Sequence, residues 1–277
     1  ALPAPEEQQV SLSDLRGMNP SSIDEIERFF IEKEADKVLR ENTKKQLQYF
    51  KDTLTVQLPS DTKLRDALKE IAQRRNLFVH NDGIVDSFYL VSVSKEFCEA
   101  RGIEKGVRLN VTPAYILSAY ETLFGFSCLL VQLCWRKWIK DDAEKADQAL
   151  SESIFSLLEK ERYFGLKELA SYATRVKLSS MYEQLIAVNS AIAARDSNDR
   201  NLLAKQIKKI AGYHPLSPNI QIALSVLRED YEKTYILLDQ AKADGQTNHI
   251  SIDWPLFRPI RNDERLKTFF EDETLPA

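Results

Sequence analysis

The chain has 277 residues, 43% of them hydrophobic and 29% charged, enough to bury one large or two ordinary cores and too apolar for a disordered chain. Its formal charge of −4 excludes a generally basic nucleic-acid coat, though not a small positive pocket on an acidic body. With only 8 glycines and 10 prolines, the turn signals of an all-β chain are scarce, while Leu, Ala, Glu and Lys fill long stretches; the expected class is all-α. Cys98, Cys128 and Cys134 have no paired spacing and read as reduced thiols, which with the absence of a leader-like opening points to a soluble, cytoplasmic protein.

In chain order, residues 1–19 read as a flexible lead-in. Asn19-Pro20-Ser21-Ser22 before Asp24-Glu25 is a helix start, and the stretch from Ile23 to Leu54 predicts one long helix or two in sequence. Leu58-Pro59-Ser60-Asp61 ends it and caps a helix from Thr62 to about His80, with Leu64, Ala67, Leu68, Ile71, Phe78 and Val79 as its apolar stripe. Asn81-Asp82-Gly83 stops that helix. Ile84–Val93 reads as an irregular passage into a helix over Ser94–Arg101, then a loop with a small extended piece at Val107–Val111. Thr112-Pro113 opens a long helix to about Lys140. Its apolar run Leu123–Leu133 is too short to span a bilayer and is broken by Gln132, Arg136 and Lys137, so it reads as a buried core helix and no membrane is expected.

From Asp141 the texture changes to short helices, about Ala143–Leu158, Phe164–Val176, Met181–Ala194, Asp199–Ala211, Pro218–Glu229 and Tyr231–Ala243. Each pair fills about the 34 to 40 residues of a helical-hairpin repeat. The ending Trp254-Pro255-Leu256-Phe257-Arg258-Pro259-Ile260-Arg261-Asn262-Asp263 resembles the closing segment of some tetratricopeptide arrays. The expected organisation is therefore a helical domain over 20–140 and a repeat-like domain over 141–277.

One segment carries chemistry. Arg75 falls on the line of Leu64, Leu68, Ile71 and Phe78, where a guanidinium needs a carboxylate, a polar cavity or a symmetry-related partner. His80 follows five residues later, about 140° round an ideal helix. A bland alternative pairs Arg75 with Glu70 or Asp82 and leaves His80 to cap the helix end. His214 and His249 lie in loops, and the histidines have no ligand spacing, so no metal and no cofactor are expected. Trp135 and Trp138 read as packing residues, and Lys205, Lys208 and Lys209 as a solvated basic face.

Arg74-Arg75-Asn76-Leu77-Phe78-Val79-His80 resembles the signature of the HEPN superfamily, an Arg followed by a polar residue, a short apolar spacer and a His at the end of the same helix. The resemblance covers about residues 20–140 and implies a helical bundle that cleaves RNA without metal. On that basis Arg75, Asn76 and His80 are the catalytic candidates and Arg74 an added RNA phosphate contact. The family habit of pairing motif helices implies a homodimer with a composite site. The expected function is an endoribonuclease, a toxin or antiviral-defence effector leaving 2′,3′-cyclic phosphate ends, with a C-terminal repeat region that senses or binds a regulatory protein. The alternative is a non-catalytic dimerising adaptor whose repeats bind protein.

Overall fold

The computed structural model of the chain describes residues 13, 17, 20–58, 62–246 and 250–271. Among them the structure is all-α: thirteen α-helices, two short 3₁₀ turns, and one isolated antiparallel bridge between Ile84 and Arg108. Most of the expected lead-in, the cap at Pro59–Asp61 and His249 lie outside the described residues. The chain forms two compact units, Ala1–Leu123 and Phe124–Ala277, and this division falls inside the long helix.

In the first unit, α1 (Ile23–Arg40) begins at Ser22, whose side chain accepts from the Glu25 amide. The stretch to Leu54 is two helices: Glu41 turns extended, and Asn42 caps α2 (Thr43–Asp52) by accepting from the Lys45 amide at 3.0 Å. The motif helix α3 (Thr62–His80) follows. Ile84–Val93, expected to be irregular, instead holds a short helix, α4 (Ser87–Ser92). Asp86 caps it at 2.7 Å from the Tyr89 amide, and the burial of Tyr89 and Val93 overrides the low helix propensity of the run. α5 (Lys95–Glu99) is shorter than Ser94–Arg101 because Ser94 is its cap. Leu77, Val85, Tyr89, Val93, Cys98, Ile103 and Leu109 form the core that joins these pieces.

α6 (Pro113–Trp138) runs for 26 residues, well beyond the apolar run Leu123–Leu133, and by length and composition alone is long and apolar enough to cross a membrane. It is also not a fully buried core helix. Thr122, Leu129 and Gln132 are buried, whereas Ile116, Leu117, Tyr120, Leu123 and Val131 are exposed. The lack of a side chain at both Gly125 and Gly165 permits one close contact: a Cβ on Gly125 would meet the Gly165 Cα at 3.3 Å.

The second unit is built of three helical hairpins. They are α7 (Ala143–Glu159) with α8 (Tyr163–Ala173), α9 (Ser180–Asp196) with α10 (Arg200–Ala211), and α11 (Pro218–Leu227) with α12 (Tyr231–Ala243). The first helices pack on one another in series, α7 on α9 and α9 on α11. α9 is buried continuously from Ile186 to Ala194, and its alanines and serine let neighbours approach closely. Each hairpin turns in the same way. Glu161, Asn198 and Glu229 sit mid-turn with φ of 58°, 57° and 60°. The next amide reaches back into the preceding helix each time, Arg162 to Leu157, Asp199 to Ala194 and Asp230 to Ser225, at 2.8, 2.8 and 3.0 Å. The C-terminal segment is clasped against the hairpins by Arg195, which donates to the Pro255 and Leu256 carbonyls, and by Arg258, 2.5 Å from Asp196. α13 (Glu264–Glu271) ends the described chain.

Candidate functional site

The site is carried by the last two turns of α3 and the turn that stops it. Asn81 and Gly83 both donate backbone hydrogen bonds to the Leu77 carbonyl, at 2.8 and 3.0 Å. Asp82 and Gly83 take the left-handed conformation, with φ of 51° and 77°. The loop over Gly106–Leu109 is laid against this turn by hydrogen bonds between Val85 and Val107, Gly106 and Val85, and Leu109 and Gly83. Arg108 adds an exposed ion pair with Asp82 at 2.9 Å.

The two arginines divide their roles in the reverse of the expected way. Arg74, read from sequence as an RNA contact on the solvated side, is buried, and Glu70 with it, at 9% and 3% exposure. Its Nε donates to Glu70 Oε1 at 2.5 Å and its Nη1 to the Asn110 carbonyl at 3.1 Å, and its guanidinium lies 4.1 Å from the centre of the Tyr115 ring. The hydroxyls of Tyr89 and Tyr115 donate to the two Glu70 oxygens at 3.0 Å each. Burial, reinforced by the Glu70 charge, pushes both phenols well above their ordinary range. Burial draws the Arg74 guanidinium down, but Glu70 more than offsets this and raises it.

Arg75, expected on the buried line, is exposed, as are Phe78 and Val79 of the expected stripe. The buried line steps from Leu64 and Leu68 to Glu70, Arg74 and Leu77. A mutually neutralised, hydrogen-bonded pair can occupy core positions that an apolar pattern assigns to hydrophobes. The Arg75 Nη1 donates to Asn76 Oδ1 at 3.2 Å. His80, one turn beyond Asn76, is exposed in the last turn of α3. The structure thus brings Arg75 to Asn76 and sets His80 along the Asn76 side. The helix stays regular to His80, so Arg75 and His80 remain about 140° apart.

Apolar side chains near the end of α3 and on α4 are exposed: Val79, Phe88 and Val91 at 55%, 68% and 86%. Glu70, Tyr89 and Tyr115 were missed in the sequence reading, although the Glu70-to-Arg74 spacing of one helical turn was a usable signal. Among the described residues no group of three His, Cys, Asp or Glu side chains is arranged to hold a metal ion. No family model, curated protein or solved structure matches this chain.

Proposed function

We propose that the chain is a HEPN-type endoribonuclease that cleaves RNA without metal, with Arg75, Asn76 and His80 as its catalytic residues. One observation carries this reading. Of two adjacent arginines, Arg74 takes the whole structural role through Glu70, and Arg75 is left at the surface beside Asn76 and makes no ion pair among the described residues. An exposed guanidinium held by the Asn76 amide, with an exposed imidazole one turn beyond that amide on the same helix, suits recognition of a phosphodiester. Arg74, being buried, is removed from the RNA-contacting set.

In this mechanism an imidazole takes the proton of a ribose 2′-hydroxyl and O2′ attacks phosphorus. The bond to the 5′ oxygen breaks, and that oxygen takes a proton from the imidazolium of the other copy's His80, leaving a 2′,3′-cyclic phosphate and a 5′-hydroxyl. Arg75 stabilises charge on the phosphorane-like transition state, and Asn76 orients the phosphate or the guanidinium. The angle between Arg75 and His80 supports a site shared by two copies, each supplying its α3 end, and the exposed Phe88 and Val91 give such a homodimer an apolar contact. The three identical hairpin turns support a tetratricopeptide-like reading of the second unit, a region for a regulatory protein partner in a cytoplasmic toxin or defence effector.

The same angle favours a second reading, a non-catalytic dimerising adaptor, because one chain does not direct both side chains at one phosphate. Expression separates the two. The nuclease reading expects wild type to arrest growth and both Arg75→Ala and His80→Ala to restore it; the adaptor reading expects all three to behave alike.

A further inference from the structure

The second unit contains two neighbouring clefts, one of mixed lining and one mainly apolar. The larger, about 480 Å³, opens between the Gly212–Ser217 link and the corner joining α11 to α12, and is lined by His214, Leu216, Gln221, Arg228, Asp230 and Lys233. The smaller, about 350 Å³, is lined mainly by Met181, Leu185, Pro215 and Ile220. Leu216 lines both clefts, so they lie on either side of one side chain.

Their charges are unevenly committed. Asp230 caps α12 through the Lys233 amide, and the nearby Glu232 is paired with Arg265. Arg228 and Lys233 have no ion-pair partner among the described residues and face the larger cleft. Two uncommitted cations thus gather in one concave place on a chain whose net charge is −4. Beyond Leu216 the lining turns to methionine, leucine, proline and isoleucine, which offers a seat for an apolar side chain.

We propose that these paired clefts bind an extended peptide segment of a partner protein, one acidic residue meeting Arg228 and Lys233 and an apolar residue a few positions away entering the Met181–Ile220 cleft. The dimensions suit this occupant: each cleft has room for a side chain, and Leu216 belongs to the walls of both. His214 adds a donor to the carboxylate side, while the Gln221 amide holds the link by donating to the Leu216 carbonyl at 3.0 Å. This inference names the chemistry of the partner of the second unit and stands whether or not Arg75 and His80 are catalytic.

The test is selection of a random peptide library displayed on phage against the purified full chain, followed by fluorescence titration of the enriched peptides. The expected result is enrichment of sequences pairing an acidic with an apolar residue within a few positions. Their binding should weaken on the order of tenfold or more in Arg228→Glu/Lys233→Glu, and also in Met181→Glu. These positions are exposed, and an unchanged circular dichroism spectrum will show that each variant is folded; Arg228→Gln/Lys233→Gln is the milder version should the reversal disturb the corner. No enrichment, enrichment without acidic residues, or binding indifferent to both charge variants overturns the proposal. Displacement of the peptides by millimolar inorganic phosphate alone would also overturn it, by showing a site for small anions.

Discussion

Glu70 and Arg74 face each other one turn apart on α3, 2.5 Å between Oε1 and Nε, and each is also held from outside the helix. Tyr89 and Tyr115 donate to the carboxylate, and the Asn110 carbonyl accepts from the guanidinium. The pair therefore ties the motif helix to α4, to the loop before α6 and to the start of α6. It also removes Arg74 from the surface on which Arg75 is displayed.

Removing one partner leaves a buried charge uncompensated. Arg74→Ala or Glu70→Ala is expected to cost about 3–5 kcal/mol, and the double variant Glu70→Leu/Arg74→Met less than the sum of the single losses. Urea denaturation of the set measures this. Equal stability of wild type and Arg74→Ala would show that the pair holds nothing together.

The buried Tyr89 and half-buried Tyr115 phenols predict an alkaline loss of stability. Because both are raised above the ordinary value of 10.0, the folded state keeps their protons where the unfolded chain releases them. Their contribution is complete below pH 10 and declines as pH rises from there toward the folded values. Urea midpoints from about pH 9 to about pH 11 should fall more steeply for wild type than for Tyr89→Phe/Tyr115→Phe. Parallel curves would contradict the assignment.

Gly83 has φ of +77°, and a Cβ there would stand 2.9 Å from Phe78 Cε1 and 3.3 Å from the Leu109 carbonyl oxygen. Gly83→Ala is expected to destabilise the turn by about 1–2 kcal/mol, measured by the urea midpoint. A neutral or stabilising result would mean the turn adapts freely and does not hold the α3 end in place.

Phe88 and Val91 are expected to be covered by a second copy. Light scattering at micromolar concentration should give twice the 31.8 kDa chain mass for wild type and one chain mass for Phe88→Glu/Val91→Glu. A monomeric wild type would remove the composite site.

Much of the second unit was legible because its helices are strongly periodic. Tyr231–Ala243 has the bounds read from sequence, and Ala143–Glu159 and Ser180–Asp196 lie within two residues of them at each end. The common geometry of the hairpin turns was not legible, because Glu161, Asn198 and Glu229 take the left-handed conformation with no glycine to mark it. In the first unit α4 was hidden by the run Phe88-Tyr89-Leu90-Val91, which local propensity does not read as helix. At the site, an apolar stripe drawn through Ile71 and Phe78 put Arg75 in the core. The buried line passes through Glu70 and Arg74, which no hydrophobic count includes.

The central claim is that Arg75 and His80 act together in metal-free cleavage of RNA. Its most direct test is incubation of purified protein with a mixed RNA pool in EDTA, beside Arg75→Ala and His80→Ala, with the RNA ends analysed. Both positions are exposed, so each variant should keep its stability within about 0.5 kcal/mol of wild type while losing on the order of a hundredfold or more in rate. Cutting by wild type that leaves 2′,3′-cyclic phosphates and vanishes in both folded variants is the predicted result. No cutting by a folded wild-type dimer, or cutting unchanged in the variants, would contradict it.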